Sequence, residues 1–178
     1  MRHFQSKSVS LRYDAQEDRL LWISSVGDDQ LTSVQITRRM LSNMLPNLAE
    51  WLNNNSDNQQ SSKVQTSIEK QRVYLFEHEA AQHKVPMVHD VIPVKKVMLA
   101  DFLLCNINLS ITKKRLVKFA LSNKENSVQI FSVMSFNELH KIIGELLKLS
   151  HAAGWGIQNP WKKEGAGTIH VSEKKVMH

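Results

Sequence analysis

The chain has 178 residues, a net charge of +6, 42% hydrophobic and 22% charged residues. These values fit one soluble globular domain with a core of its own, and exclude a disordered or fibrous chain. The single cysteine, Cys105, excludes an intramolecular disulfide and an all-cysteine metal site.

The basic residues stand in short groups, namely Arg38-Arg39, Lys95-Lys96, Lys113-Lys114-Arg115, Lys162-Lys163 and Lys174-Lys175. They form no block of the kind that makes a nucleic-acid tail. Met1 to Ser6 leads into no apolar signal region, and the most apolar stretch, Val97 to Cys105, is too short to span a bilayer. The expectation is a mildly basic cytoplasmic protein with no membrane contact.

Val9, Leu11 and Tyr13 alternate with Ser8, Ser10 and Arg12, which predicts a strand with one wet face. After the polar turn Asp14 to Asp18, Leu20-Leu21-Trp22-Ile23 reads as a central strand. Gly27-Asp28-Asp29 turns the chain into a third strand over Thr32, Val34 and Ile36. Thr37 caps a helix whose apolar stripe is Met40, Leu41, Met44, Leu45, Leu48, Trp51 and Leu52. Pro46 predicts a kink there, or a helix that starts only near Ser42.

Residues 54–67 are rich in Asn, Ser, Gln and Asp and read as a flexible linker. Ile68 to His83 reads as a connecting helix with Leu75, Phe76 and Ala80 on one side. Val85-Pro86 and Ile92-Pro93 mark extended chain. Leu103, Cys105, Ile107, Leu109 and Ile111 alternate with Leu104, Asn106, Asn108 and Ser110 as one continuous strand, which would bury Cys105 as a small hydrophobe. Strands over Val117 to Leu121 and Val128 to Ile130 follow. Ser135 and Glu138 form a capping box ahead of a helix striped by Leu139, Ile142, Ile143, Leu146 and Leu149, and Gly154 ends it.

Ser33-Val34-Gln35-Ile36 returns unchanged as Ser127-Val128-Gln129-Ile130. With the recurring order of elements, this predicts an α+β fold of two pseudo-repeats, each a three-stranded antiparallel meander followed by a helix. The units cover about 7–53 and 100–154, joined by the linker and the connecting helix into a single domain over residues 1–161. Residues 162–178 form a flexible tail. Two such units bury their apolar faces either as two facing sheets across a pseudo-twofold axis or as one continuous sheet.

No reactive constellation emerges. His78-Glu79 with His83 approaches the zinc-protease pattern, but the two histidines are one residue too far apart, roughly 140° around a helix of 3.6 residues per turn. His89-Asp90 has no nucleophile nearby. His140 and His151 share a helix face about three turns apart, and all of these histidines read as surface residues. There is no glycine-rich phosphate cradle, and no catalytic residue, metal or cofactor is predicted.

Trp155 and Trp161, in a segment with Gly154, Gly156 and Pro160, either fold back into an apolar groove or dock on a partner as aromatic anchors. Arg12, Arg115 and Lys118, with Trp22 and Phe119, fall on predicted strands and offer cations and rings for single-stranded nucleic acid, although core packing suits the two rings better. The unit order is similar in architecture to Whirly-type proteins, whose sheets serve as binding platforms; no motif is shared. The first expectation is therefore a non-enzymatic scaffold acting on another protein or on itself. Single-stranded nucleic-acid binding through one basic sheet face is the second, and an enzyme with its site at the repeat junction the third.

Overall fold

The computed structural model describes residues 1–55, 67–84 and 97–162. They form an α+β fold of eight strands in two mixed sheets with three helices. In chain order these are β1 (Arg2–Gln5), β2 (Ser8–Asp14), β3 (Arg19–Gly27), β4 (Gln30–Ile36), α1 (Arg38–Asn55), α2 (Ser67–Lys84), β5 (Val97–Leu103), β6 (Asn106–Ile111), β7 (Val117–Ser122), β8 (Val128–Met134) and α3 (Phe136–Ala152). One sheet has the order β1-β8-β7-β6 and the other β2-β3-β4-β5. Within each, three consecutive strands pair antiparallel, and the fourth, β1 or β5, joins parallel from the far part of the chain.

Those parallel edge strands correct the expectation of six strands in purely antiparallel sheets. β1 is too short to show a period, and β5 does not alternate cleanly. The predicted continuous strand from Leu103 to Ile111 is also corrected. Leu104 N–H donates to Gln35 O at 2.9 Å, still in the β5 sheet, whereas Cys105 N–H donates to Ser122 O at 3.0 Å, already in the β6 sheet. The chain changes sheets between these two residues, so the phase of burial flips. Leu104 enters the core and Cys105 is exposed, not buried. Ser6 and Lys7 make the same change in the other direction: Ser6 N–H bonds Phe131 O at 2.8 Å and Lys7 N–H bonds Ser25 O at 2.7 Å.

The tetrapeptide echo does not occupy matching places. Ile36 pairs with Leu20 at the end of β4, just before the Thr37 cap. Its positional counterpart in β8 is Met134, which pairs with Val117 just before the Ser135 cap. Ile130 lies further back, opposite Leu121. The identity of four residues is thus out of structural register.

The inward faces of the sheets meet in one core. Trp22 from β3 and Phe119 from β7 stack with ring centroids 5.3 Å apart, and both are buried. Around them lie Leu20, Val34 and Ile36 from one sheet and Val117, Leu121 and Ile130 from the other, with Leu41, Leu45, Leu48, Leu139, Ile143 and Leu146 from α1 and α3.

Helix α1 starts at Arg38 with Thr37 Oγ1 accepting from Met40 N–H at 3.2 Å, and it runs unbroken through the exposed Pro46. Helix α3 has the expected capping box: Ser135 Oγ accepts from Glu138 N–H, and Glu138 Oε2 accepts from Ser135 N–H at 2.6 Å. Gly154, at φ +71°, releases the chain after α3, where a side chain would be strained.

Helix α2 is turned differently from expectation. Phe76 is exposed, whereas His78 and Ala81 face inward against α3. Most of the expected linker, Val85-Pro86, Ile92-Pro93, His89-Asp90 and most of the expected tail fall outside the described residues. None of the described helices is long and apolar enough to cross a membrane.

Because the Trp22–Phe119 stack is the central contact between the sheets, Phe119→Ala is expected to lower stability by about 3–5 kcal/mol. Urea unfolding followed by Trp fluorescence measures it; a loss under about 1 kcal/mol would show that the core does not hinge on this contact.

Candidate functional site

Two places in the described residues carry groups that the fold alone does not require. One is an open groove of about 400 Å3 between α1 and β6. Its floor is apolar, made by Met40, Met44, Leu48 and Trp51 on the helix and Ile107 and Leu109 on the strand; Asn43, Asn47 and Asn108 stand at it as amides. Burying Leu41, Met44, Leu45, Leu48 and Leu52 in the core leaves Met40 and Trp51 half-buried on the flank of the stripe. Trp51 is braced by stacking on Phe136 at 6.1 Å. Methionine is flexible and polarizable, and a surface lined by it adapts to varied apolar partners.

β6 forms the outer edge of its sheet beside this groove. The surface is therefore both apolar and, along the strand, supplied with backbone donors and acceptors. The corresponding strand of the other sheet, β2, is covered differently. There α3 packs on β2, and Trp155 stands edge-on to Tyr13 at 6.1 Å.

The second place is a cluster where α2, α3, the end of α1 and the segment after α3 meet. The Trp161 ring stacks on His78 at 4.1 Å and lies 5.4 Å from His140, and the two imidazoles are 5.6 Å apart. Trp161 Nε1–H donates to Asn53 Oδ1 at 3.1 Å. Gln82 Nε2–H donates to His140 O at 2.8 Å, and Lys141 Nζ donates to Gln82 O at 2.7 Å. The Gln82 amide lies where a Cβ on Gly144 would stand, so any larger residue there has to displace it.

His78 and His140 are each 4% exposed, which corrects their assignment to the surface. They come from distant elements, so no local spacing could have revealed them. His83 and His151 are exposed. Among the described residues, the Nδ1 atoms of both buried imidazoles have no hydrogen-bond partner. Burial pushes both pKa values down from 6.5 to about 4, and for His78 the positive charges of His140 and Lys162 add to the effect. Among the described residues no group of three or more His, Cys, Asp or Glu side chains is placed to hold a metal ion.

The residues singled out for nucleic acid do not converge. Arg12 lies opposite Leu21 on the outer face of the β2–β5 sheet, out of phase with the inward Leu11 and Trp22. Lys118 lies on the outer face of the other sheet, its Nζ 4.5 Å from the centre of the Phe131 ring. Arg115 is not on a strand but in the turn between β6 and β7, at φ +58°. Trp22 and Phe119 are in the core.

Trp155 and Trp161 are also buried, at 3% and 2% exposure, against the chain itself. Trp155 Nε1–H donates to Asp18 Oδ1 at 2.7 Å; Tyr13 OH donates to the same oxygen at 2.8 Å. These two bonds hold the Asp18 carboxyl below its ordinary pKa, the Trp155 bond contributing most. No protein-family model, curated protein or solved structure matches this chain.

The histidine cluster sets a pH dependence of stability. The unfolded chain takes up protons at its histidines near pH 6.5, whereas the folded chain resists until about pH 4. Stability contributed by this burial is complete above pH 6.5 and falls as pH drops from there to about 4. In His140→Phe the slope of the urea midpoint over that window is expected to be shallower than in the wild-type chain; an unchanged slope would remove His140 from the account.

Proposed function

We propose that this protein is a non-enzymatic binding module, built as an intramolecular pseudo-dimer, that engages a protein partner at the groove between α1 and β6. The pseudo-dimer is supported by the element order and by the matched crossings at Ser6-Lys7 and Leu104-Cys105. It is supported further by the left-handed turn residues Asp18 and Arg115, which occupy matching places before β3 and β7. The observation that carries the binding reading is the groove itself. It is open, apolar and flanked by amides, beside the edge of a sheet.

Extended peptides bind such surfaces by adding to the strand edge while alternate side chains fill the pocket. Asparagine amides at the rim can bond a peptide backbone without regard to its sequence. The described residues that line the groove are apolar side chains and asparagine amides, which suits recognition.

Selection of peptides from a displayed library on the immobilised full chain tests this reading. Apolar peptides are expected to bind, and Asn47→Arg, which narrows the rim at an exposed position, is expected to weaken them at least tenfold. Binding that ignores Asn47→Arg would place the partner site elsewhere.

A second reading, single-stranded nucleic acid on the outer face of the β1-β8-β7-β6 sheet, is supported by the Lys118–Phe131 pair, a cation over a half-exposed ring. Anisotropy of a labelled mixed-sequence strand at low and physiological salt checks it. The expected outcome is affinity that falls steeply with salt and is lost in Lys118→Glu. No binding at low salt ends that reading.

A further inference from the structure

The two sheets have four edge strands, and three of them carry features that discourage pairing with another chain. β1 is four residues long and bears Arg2 and His3. β2 bears Arg12 and Asp14. β5 bears Asp101, and its register shifts between Leu31 and Thr32 of the neighbouring strand. β6 has none of these. Its sequence, Asn106-Ile107-Asn108-Leu109-Ser110-Ile111, contains no charge and no proline. It pairs with β7 without a register break, and among the described residues nothing pairs with its other edge.

The pattern of β6 is also complementary to itself. Antiparallel pairing about a twofold axis near Asn108 or Leu109 sets residues of the same face opposite one another. Ile107, Leu109 and Ile111 then meet apolar residues, and Asn106, Asn108 and Ser110 meet polar uncharged ones. The groove residues next to this strand, from Met40 to Trp51 on α1, are uncharged as well. In a chain of net charge +6, two copies repel unless they meet through a locally neutral surface.

We infer that the partner taken at the α1/β6 surface is a second copy of this chain. The two β6 strands pair antiparallel and join two four-stranded sheets edge to edge. Each groove then gains the partner strand's apolar side chains as its missing wall. This inference rests on the reading of the α1/β6 groove as the binding surface and adds the identity of its occupant.

Sedimentation of the full chain from about 1 to 100 µM, a range that covers dimers from tight to weak, reads the outcome directly. The wild-type chain is expected to sediment as a dimer in the upper part of that range. Asn108→Lys and Ser110→Lys, both at exposed positions, are expected to sediment as monomers with unchanged circular dichroism. A nitroxide on the exposed Cys105 adds a positional test. Two strands paired about Asn108 or Leu109 separate the labels by roughly 20–30 Å, from a rise of about 3.4 Å per residue.

A dimer that persists in both lysine variants, or that lacks this distance, overturns the inference. So does a wild-type chain that stays monomeric throughout. In the monomeric case the library peptides separate the two levels. Peptides that bind and are weakened by Asn47→Arg keep the groove reading while self-pairing falls; if no peptide binds either, both fall.

Discussion

The arrangement of this protein follows from where the chain changes sheets. At Ser6-Lys7 and again at Leu104-Cys105, two successive backbone N–H groups bond to carbonyls of different sheets. An edge strand and the meander that follows it are thereby forced into separate layers. β1 completes the sheet built by β6, β7 and β8, and β5 completes the sheet built by β2, β3 and β4. Neither sheet is finished by its own part of the chain. The Trp22–Phe119 stack then closes the space between layers that the crossings have already brought together. Helices α1 and α3 seal the flanks of a core that draws on both sheets.

Elements governed by local rules were readable from the residues. The alternation in β2, the apolar stripe of α1 and the Ser135–Glu138 capping box are properties of neighbours in sequence, and they appear where expected. What was not readable depends on pairing across the chain. β1 has four residues and no period. Leu103 to Ile111 looks like one strand because two strands of opposite phase happen to join without a turn signal. The tetrapeptide misled for a related reason: identity of sequence does not fix register, and Ile36 and Ile130 sit at different distances from their caps.

The groove residues Met40 and Trp51 were legible as part of an apolar stripe, but not as partly uncovered. Coverage is decided by how far β6 lies from α1. The buried histidines show the limit most sharply. His78 and His140 read as ordinary polar residues on two helices, and their character comes from being buried against each other and Trp161. The same contact explains why Trp161 is buried in a segment with no periodicity. Its ring needs flat polar neighbours with an apolar face, and its indole N–H needs an acceptor, which Asn53 supplies.

The parallel pairing of β1 with β8 also bears on how the chain is made. β1 leaves the ribosome well ahead of β8, the strand it pairs with, since Arg2 lies opposite Val128. Until β8 emerges, the backbone groups of β1 that bond it lack their native partner. The β1-β8-β7-β6 sheet therefore stays incomplete until β8 has emerged. Such long-range closure is slow relative to hairpin formation. A nascent chain of this kind offers unpaired strand edges to its neighbours on the same messenger for the whole interval between the emergence of β1 and that of β8.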